Sequence, residues 1–415
     1  MIKLAYGRTT LQAQLPENWR IDVINPPVVL GCLNPAEEIQ RALDEPLEGF
    51  SFDSFIGAKT VAIAVNDKTR PVPHDLLLPP LLKKLESCGV FPAQVHLIIA
   101  SGTHVPMKVD EFSNILPSAV LNACYVSSHD CDNIHNLVQL GITLAGTPVL
   151  ANRHFMAADR RIVIGNIEPH HFMGFSGGAK SAAIGLTSRE TINANHKMLL
   201  HPDARMGLYE ENPMRRDVEE IGDLMKIDLA LNIIMNDQRQ IIHALAGTPR
   251  AVMRKGVPLS REVCQVQVNQ QYDVVIASAG GFPKDINLYQ SQKALTHAAQ
   301  ITRPGGTIIL FTACEEGAGS DSYVQTMRGM RNWQDVFDQF RQTGFSVGPH
   351  KALQFAREGI RFNIILVSDM PPQQVNELLL TPARSLAEAV AMIQLENPLV
   401  AVLPKATNTI PILMT

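Results

Sequence analysis

The stretch TVAIAVND, residues 60–67, sets the fold that we expect for this chain. It is a short apolar run, rich in β-branched residues, that ends abruptly in polar ones, as buried strands of parallel sheets do. Five further runs share this character: VHLIIASGTH (95–104), RRIVIGNIEPH (160–170), YDVVIASAGG (272–281), GGTIILFTACEEG (305–317) and FNIILVSDM (362–370). Helical patterns lie between them, so the sequence predicts an α/β fold with mainly parallel sheets.

Two helical patterns have the position of crossover helices, namely LLPPLLKKLESCG (77–89) and QSQKALTHAAQI (290–301). A chain of 415 residues fits two α/β domains. A polar stretch at 257–273 predicts a boundary, with an N-terminal domain at 1–265 and a C-terminal domain at 266–415. The strand-like end, 398–415, is expected in either domain, and the active site is expected in the cleft between the two.

Composition favours a globular cytoplasmic enzyme. The apolar fraction is 46%, the charged fraction is 18% and the formal net charge is −4, which argues against a disordered chain and against a nucleic-acid partner. The sequence shows neither a secretory signal nor an apolar run long enough for a membrane helix, so no membrane partner is expected. A homo-oligomer is left open.

Cysteine usage points to reduced thiols. The six cysteines are far apart and form no C-x-x-C pair, so a disulfide framework or a thiolate metal site is not expected. Any metal would therefore use other ligands, for which the 13 histidines are candidates.

Polar residues that directly follow the predicted strands are the first candidates for a site. Ligands of open α/β sheets bind beyond the carboxyl ends of the strands. Asp67 and Arg70 follow the first run, while His104 and His170 end the next two. Each has an ordinary explanation as a loop or capping residue, but together they indicate a site.

The segment HHFMGFSGGAKSAAIG (170–185) is the densest signal. The pair Gly177 and Gly178 indicates unusual backbone angles or a close approach to a ligand, and Lys180 follows two residues later. The spacing does not match the phosphate-binding P-loop, and no G-x-G-x-x-G follows a strand. Lys180 is therefore read as a phosphate clamp, a covalent amine or a solvated surface residue.

Two further segments carry candidate ligands on helices. TSRETINANHKMLLHPDARMG (187–207) predicts a helix capped by Ser188 or Thr187, with His196 as a candidate nickel ligand. GGFPKDINLYQSQKAL (280–295) brings Tyr289, Gln290 and Lys293 to neighbouring faces of a helix, where they either bind one anion or are merely solvated.

Five ordered motifs together resemble the nickel-pincer-nucleotide lactate racemase family: DKTRPVP (67–73), SGTHVP (101–106), HHFMGFSGGAK (170–180), TINANH (191–196) and GGFPKDINLYQSQKA (280–294). This resemblance implies a pyridinium-3,5-bisthiocarboxylic acid mononucleotide that holds nickel through S, C and S. It also implies that separate maturation proteins make this cofactor.

By residue matching, the resemblance implies that Lys180 tethers one arm of the nucleotide as a thioamide and that His196 binds nickel. It further implies that His104 and His170 are the acid/base pair. The remaining matches are cofactor-side residues (Asp67, Gly177, Gly178) and substrate-side residues (Arg70, Tyr289, Gln290, Lys293).

The implied reaction is racemisation or epimerisation of a 2-hydroxy acid. The C2 hydrogen is a very weak acid, so its removal with the bonding electrons, while a base takes the hydroxyl proton, avoids a carbanion. Return of the hydrogen to the other face then needs a second base.

The chain departs from the family pattern at Ala179, where the family often has Arg, at Ile184, where it often has Pro, and near residue 353, where some members have an aromatic. These departures put lactate itself in doubt and leave malate-like, aryl and sugar-acid substrates open.

Two alternatives from other classes stay open at this point. One is a nicotinamide or pyridoxal-phosphate enzyme that uses Lys180, and the other is a non-catalytic nucleotide-binding or sensor protein. The two histidines at strand ends argue against the sensor, since a sensor needs no opposed bases.

Overall fold

The computed structural model describes residues 2–70, 72–345 and 348–414, so Pro71 of the DKTRPVP motif lies outside the described residues. The chain divides into two compact units. Unit 1 comprises Met1–Val28 and Cys264–Thr415, and unit 2 comprises Val29–Val263.

The strands, in chain order, are β1 (Ile2–Tyr6), β2 (Thr9–Ala13), β3 (Arg20–Val23), β4 (Val61–Asn66), β5 (Val95–Ala100), β6 (Tyr125–Ser128), β7 (Leu137–Ile142), β8 (Pro148–Asn152), β9 (Arg160–Asn166), β10 (Pro169–His170), β11 (Gly174–Phe175), β12 (Leu229–Met235), β13 (Ile241–Gly247), β14 (Gln265–Val268), β15 (Tyr272–Ser278), β16 (Thr302–Phe311), β17 (Asn363–Val367), β18 (Thr381–Ala383), β19 (Leu399–Leu403) and β20 (Ile410–Leu413).

The α-helices are α1 (Pro35–Asp44), α2 (His74–Ser87), α3 (Ser118–Ala123), α4 (Arg153–Ala157), α5 (Lys180–Ala183), α6 (Arg189–Lys197), α7 (Pro213–Leu224), α8 (Pro249–Cys264), α9 (Leu288–Ala299), α10 (Asp321–Met327), α11 (Trp333–Thr343), α12 (Pro349–Gly359), α13 (Pro372–Glu377) and α14 (Leu386–Ala391).

Unit 2 is built on a six-stranded sheet of order β13-β12-β9-β4-β5-β6. All neighbours are parallel except β12 and β13. From β4 the chain adds β5 and β6 on one side of the sheet, and from β9 it adds β12 and β13 on the other side. The topological switch point therefore lies between β4 and β9. Ligands of doubly wound sheets bind at that point, beyond the carboxyl ends of the strands.

Unit 1 repeats this arrangement with a six-stranded, all-parallel sheet of order β18-β17-β16-β15-β19-β3. Its switch point lies between β15 and β19. The interior strands are almost wholly apolar and buried, as in β15 and β19, because helices cover both faces of a parallel sheet.

The α/β fold class is confirmed, and all six predicted strands are present. Several end earlier than the apolar runs suggested, because residues such as Ser101 to His104, Ile167 and Glu168 lie beyond the last paired positions of β5 and β9. Both predicted crossover helices form, as α2 and α9. None of the six cysteines, all of which lie in the described part of the chain, forms a disulfide.

The division into units differs from the predicted 1–265 and 266–415 at the N-terminus. Residues 1–28 belong with the C-terminal residues, because β3 pairs in parallel with β19 at the edge of the unit 1 sheet. The end of the chain also stays in unit 1, where β20 pairs with β14. Among the helices that the structure describes, none combines the length and the apolar character needed to cross a membrane.

Candidate active site

A carboxylate and a histidine meet beside the switch point of unit 2, at the carboxyl ends of β4 and β5. Asp67 directly follows β4 and is buried, whereas His104 lies in the turn after β5 with its side chain about half exposed. The Asp67 Oδ2 and His104 Nδ1 atoms are 2.7 Å apart. Parallel pairing of β4 and β5 brings the two strand ends together, which is why residues 37 positions apart meet here.

The Asp67 carboxylate is held in its charged form. Burial alone would raise its pKa, but hydrogen bonds from His104 and Thr69 outweigh burial and hold the pKa below its usual value. Thr69 donates to Asp67 Oδ1 from both its backbone N, at 3.1 Å, and its hydroxyl, at 2.7 Å. An ionised acceptor places the His104 proton on Nδ1, so Nε2 presents a lone pair, which is the arrangement of a general base.

His170 follows β9, the second strand at the switch point, and lies in the short strand β10. It is buried in the short antiparallel pair β10 and β11, stacked on His171 at 4.5 Å and edge-on to Phe172 at 4.5 Å between ring centroids. The backbone N of Met173 donates to His170 Nδ1 at 3.3 Å. The neutral ring therefore carries its proton on Nε2 and presents a hydrogen-bond donor, the opposite of His104.

The predicted glycine turn has the backbone that only glycine adopts readily. Gly177 and Gly178 have φ values of +93° and +57°. A Cβ atom on Gly178 would lie 2.5 Å from Met253 Cγ, so no side chain fits there. Asn232 fixes the turn by accepting from the Gly178 backbone N at 2.6 Å.

Lys180 begins α5 directly after this turn. Its pKa is lowered to about 7, first by burial and then by the positive charges of Arg70 and Arg215, while Glu168 acts in the opposite sense. A large fraction of the amine is thus neutral near pH 7, which is the nucleophilic form. The surface reading of Lys180 does not fit this environment.

The departure at position 179 has a packing cause. Ala179 is buried, and a Cβ atom built on Gly222 of α7 would lie 2.4 Å from the Ala179 Cβ. Helices α5 and α7 therefore pack at a distance that leaves no room for a long side chain directed at Gly222. The position near 353 is occupied by Leu353, which is fully buried, so no aromatic stands there.

His196 is buried near the end of α6, whose predicted cap, Ser188, accepts from the Thr191 backbone N. Its Nδ1 lies 2.8 Å from the Ile192 carbonyl oxygen, which places the ring proton on Nδ1 and the lone pair on Nε2. The Phe172 ring lies 5.3 Å from the His196 ring and also contacts His170. The structure therefore brings His170 and His196 to one aromatic side chain.

The other predicted residues lie in unit 1, on the first turns of α9. Gln290 and Lys293 are exposed, and Tyr289 is partly buried. The amine of Lys351 lies 4.5 Å from the centroid of the Tyr289 ring. Asn287 caps α9 by accepting from the Gln290 backbone N at 3.0 Å.

The sequence did not indicate two buried basic residues, Arg215 beside the glycine turn and Lys351 beside Tyr289. Arg215 of α7 is 1% exposed and binds the glycine turn, and Lys351 of α12 has a pKa lowered to about 7 by burial and by Lys293. The segment NPMRRDVEE (212–220) showed a capped helix with an Arg–Glu pair at i, i+4, but nothing in it marks that arginine as buried.

Unit 2 thus has a doubly wound sheet with an Asp–His pair at its switch point and a nucleophilic lysine after a glycine turn. A sheet of this kind with titratable side chains at its strand ends is typical of the active sites of α/β enzymes. Comparison with known proteins assigns the family. Residues 6–207 match the lactate racemase N-terminal domain, and residues 267–410 match the lactate racemase C-terminal domain.

Two named relatives span nearly the whole chain. A lactate racemase of Thermoanaerobacterium thermosaccharolyticum is 30% identical over 398 residues, covering 94% of this chain and 93% of the relative. A lactate racemase of Lactiplantibacillus plantarum is 29% identical with the same coverage. The chain belongs to the lactate racemase family, and it is accordingly an isomerase of the racemase type.

Solved structures agree with this fold. The lactate racemase apoprotein of T. thermosaccharolyticum superposes with a TM-score of 0.89 at 28% identity, covering 99% of each chain. A Thermotoga maritima protein shares the fold alone, with a TM-score of 0.65 at 19% identity over 93% of this chain and all of that one.

Proposed function

We propose that this enzyme interconverts the two configurations at C2 of a 2-hydroxy acid, using a nickel-pincer nucleotide tethered to Lys180. The observation that carries the proposal is the Asp67–His104 pair, which presents a base at the same sheet edge that holds the nucleophilic Lys180. Family membership supports racemase chemistry, and the substrates named for the relatives support a hydroxy acid.

The residues of unit 2 fit this cofactor. Attachment through a thioamide needs a neutral amine, and the lowered pKa of Lys180 supplies it near pH 7. His196 has the arrangement typical of metal-binding histidines, in which the non-ligating nitrogen donates to a backbone carbonyl and fixes the tautomer. A metal on Nε2 of His196 would take its other donors from the bound nucleotide.

When bound, the nickel nucleotide supplies an acceptor that takes the C2 hydrogen with its electron pair and later returns it. His104 Nε2 takes the hydroxyl proton, and Asp67 stabilises the imidazolium that forms. Arg70, which is exposed and lies three residues after the buried Asp67, is the cation that holds the substrate carboxylate, through its bidentate guanidinium.

His170 acts on the other face of the planar keto acid. In this arrangement its Nε2–H would donate a hydrogen bond to the keto oxygen of the bound acid. It becomes a proton donor when Nδ1 also binds a proton, which requires the contact with Met173 N to open. The two neutral rings therefore carry their protons on opposite nitrogens, so that His104 presents a lone pair and His170 a donor.

The roles of Tyr289, Gln290 and Lys293 on the substrate side stay predictions, as does the placement of the site in an interdomain cleft. So do the cytoplasmic location, the maturation proteins and the choice among lactate, malate-like, aryl and sugar acids. Family membership favours the racemase over the nicotinamide and pyridoxal-phosphate alternatives.

The test is enantiomer interconversion by protein produced together with cofactor-maturation proteins. Single enantiomers of lactate, malate, an aryl hydroxy acid and a sugar acid are incubated and followed by chiral chromatography. We expect interconversion of at least one acid, a mass adduct on Lys180 and neither property in Lys180→Ala. A Lys180→Ala variant that retains the adduct, or loaded protein inert towards the panel, would contradict the proposal.

A further inference from the structure

The guanidinium of Arg215 lies in the interior of unit 2, directly beneath the glycine turn. The residue is 1% exposed and lies in the first turn of α7. Nη1 donates to the Phe175 carbonyl oxygen at 3.1 Å, and Nη2 donates to the Gly177 carbonyl oxygen at 3.1 Å. One planar group thus binds two carbonyls of the segment that carries Lys180.

The opposite edge of the guanidinium is held by a buried carboxylate. Nε donates to Glu219 Oε1 at 2.9 Å, and the Tyr209 hydroxyl donates to the same oxygen at 2.9 Å. Glu219 lies one helical turn after Arg215, so α7 supplies both members of the pair. A lysine cannot reproduce this arrangement, because its single ammonium lacks the fixed fork of donors.

The start of α7 also binds a third carbonyl oxygen of the same segment. Asn212, the cap of α7, donates to the Phe172 carbonyl oxygen at 2.9 Å while its Oδ1 accepts from the Met214 and Arg215 backbone N atoms. The conformation from Phe172 to Gly177 is therefore set from one helix end. That segment connects His170 with Lys180.

The charge of Arg215 acts on the same lysine that its hydrogen bonds position. Groups that act on the charge of Lys180 are Arg70 and Arg215, which disfavour the ammonium, and Glu168, which favours it. Arg70 is exposed, so solvent screens it more than it screens the buried Arg215.

We propose that Arg215 is the positioning residue of the tether turn: its guanidinium fixes the carbonyls of Phe175 and Gly177 and so the backbone that leads into Lys180. Its buried positive charge also favours the neutral, nucleophilic form of that amine. Arg215 does not touch substrate in this account. The inference builds on the proposed tether role of Lys180, but the experiments below use unloaded protein and succeed or fail independently of cofactor attachment.

The first experiment measures the reactivity of Lys180 against pH. Unloaded protein is labelled with a small acetylating ester, and peptide mass spectrometry gives the ratio of labelling at Lys180 to labelling at the exposed Lys83. The variant is Arg215→Met with Glu219→Leu, because removal of one member alone would leave a buried charge unpaired. The control removes the exposed Arg250–Asp223 pair, which also involves α7, as Arg250→Met with Asp223→Leu.

We expect the pH of half-maximal labelling to rise by about one unit in the Arg215 variant, so that relative labelling at pH 7 falls about fivefold. The control should match the parent protein. An unchanged pH profile in a folded Arg215 variant would overturn the electrostatic part of the proposal, and with it the distinction from a purely structural role.

The second experiment uses Arg215→Lys, which keeps the charge, to test whether the guanidinium hydrogen bonds fix the glycine turn. The backbone N of Ser176 donates to the Glu168 carbonyl oxygen, and that of Gly178 donates to Asn232 Oδ1. We expect these two amides to exchange with deuterium about tenfold faster than in the parent, with β4 unchanged. Equal exchange in both proteins would show that the fork of Arg215 does not set the turn. This variant decides the proposal if the double variant does not fold.

Discussion

In the proposed reaction, the acid–base chemistry of unit 2 depends on Asp67. Its carboxylate is buried, ionised and shared between Thr69 and His104, and it fixes which nitrogen of His104 carries the proton. The same carboxylate stabilises the imidazolium that forms when His104 takes a proton. Loss of its charge should therefore affect the rate of reaction far more than substrate binding.

Replacement of Asp67 by Asn should lower kcat about 10²-fold or more with little change in KM, because the amide neither stabilises the imidazolium nor selects the Nδ1–H tautomer. Steady-state kinetics of loaded protein measure this, with the exposed Asp110→Asn as control. The pKa of Asp67 in the folded protein is lowered, so its contribution to the rate is present above that pKa and disappears as the pH falls through it. A variant with parental kcat would exclude this role of Asp67.

At the residue scale, sequence reasoning predicts which positions lie at the strand ends, because apolar runs that stop in polar residues are local patterns. It selected Asp67 and His104 separately, yet it placed Asp67 on the cofactor side and did not foresee its contact with His104. That contact depends on the register of β4 against β5, which pairs Asn66 with Ala100. The burial of Arg215 also depends on packing between distant segments.

Helix α7 organises unit 2 at the scale of elements. Its cap binds the segment after His170, its first turn binds the glycine turn, and Asn195 of α6 donates to the Met214 carbonyl oxygen at 3.0 Å and to Asp217 at 2.8 Å. The helix therefore positions both the lysine and the helix that carries His196.

Asn212→Ala should lower the free energy of unfolding by about 2 kcal/mol, since it removes a helix cap and leaves the buried Phe172 carbonyl without its amide donor. Asn332→Ala, which removes the exposed cap of α11, is the matched control and should cost about 1 kcal/mol. Urea unfolding of the two variants gives the comparison. Equal losses would mean that the Phe172 contact contributes nothing.

Element type was predictable where the pattern is long and periodic, as for α2, α9 and the six strands. The polar stretch at 257–273, which was interpreted as a boundary, does contain the division between the units, at Val263 and Cys264. The stretch is not a linker, because α8 continues to Cys264 and β14 follows directly. Tertiary pairing of β14 with β20 makes a strand of a segment whose composition alone favours a linker.

For the whole molecule, buried titratable groups link stability to pH. Burial raises the pKa of Glu358 on α12 from 4.5 to about 7, despite the opposing charges of Arg361 and Arg357. The folded chain thus keeps a proton that the unfolded chain releases, so this group makes the protein less stable as the pH rises from 4.5 to 7.

Glu358→Gln removes this titration, so its melting temperature relative to the parent should increase between pH 4.5 and pH 7 and stay constant above. Thermal unfolding in buffers across this range measures the difference. The exposed Glu316→Gln should show no such trend. A pH-independent difference for Glu358→Gln would show that the carboxyl has the same pKa in the folded and unfolded chains.

The assembly of the whole chain was the least predictable level. Unit 1 contains residues 1–28 together with the C-terminal part of the chain, and β3 pairs there with β19. No local pattern in β3 indicates β19 as its neighbour. The strand order around each switch point likewise follows from packing, and it is this order that brings the ends of β4 and β9 together.

The most direct test of the proposed reaction is the fate of the C2 hydrogen. Loaded protein is given a single enantiomer of a C2-deuterated 2-hydroxy acid, starting with lactate, in ordinary water, and the opposite enantiomer is isolated at low conversion for mass spectrometry. Because the hydrogen leaves and returns with its electrons, it does not mix with solvent protons, and we predict that the product retains its deuterium. Replacement of that deuterium by hydrogen from water would show removal of C2–H as a proton and would contradict the account.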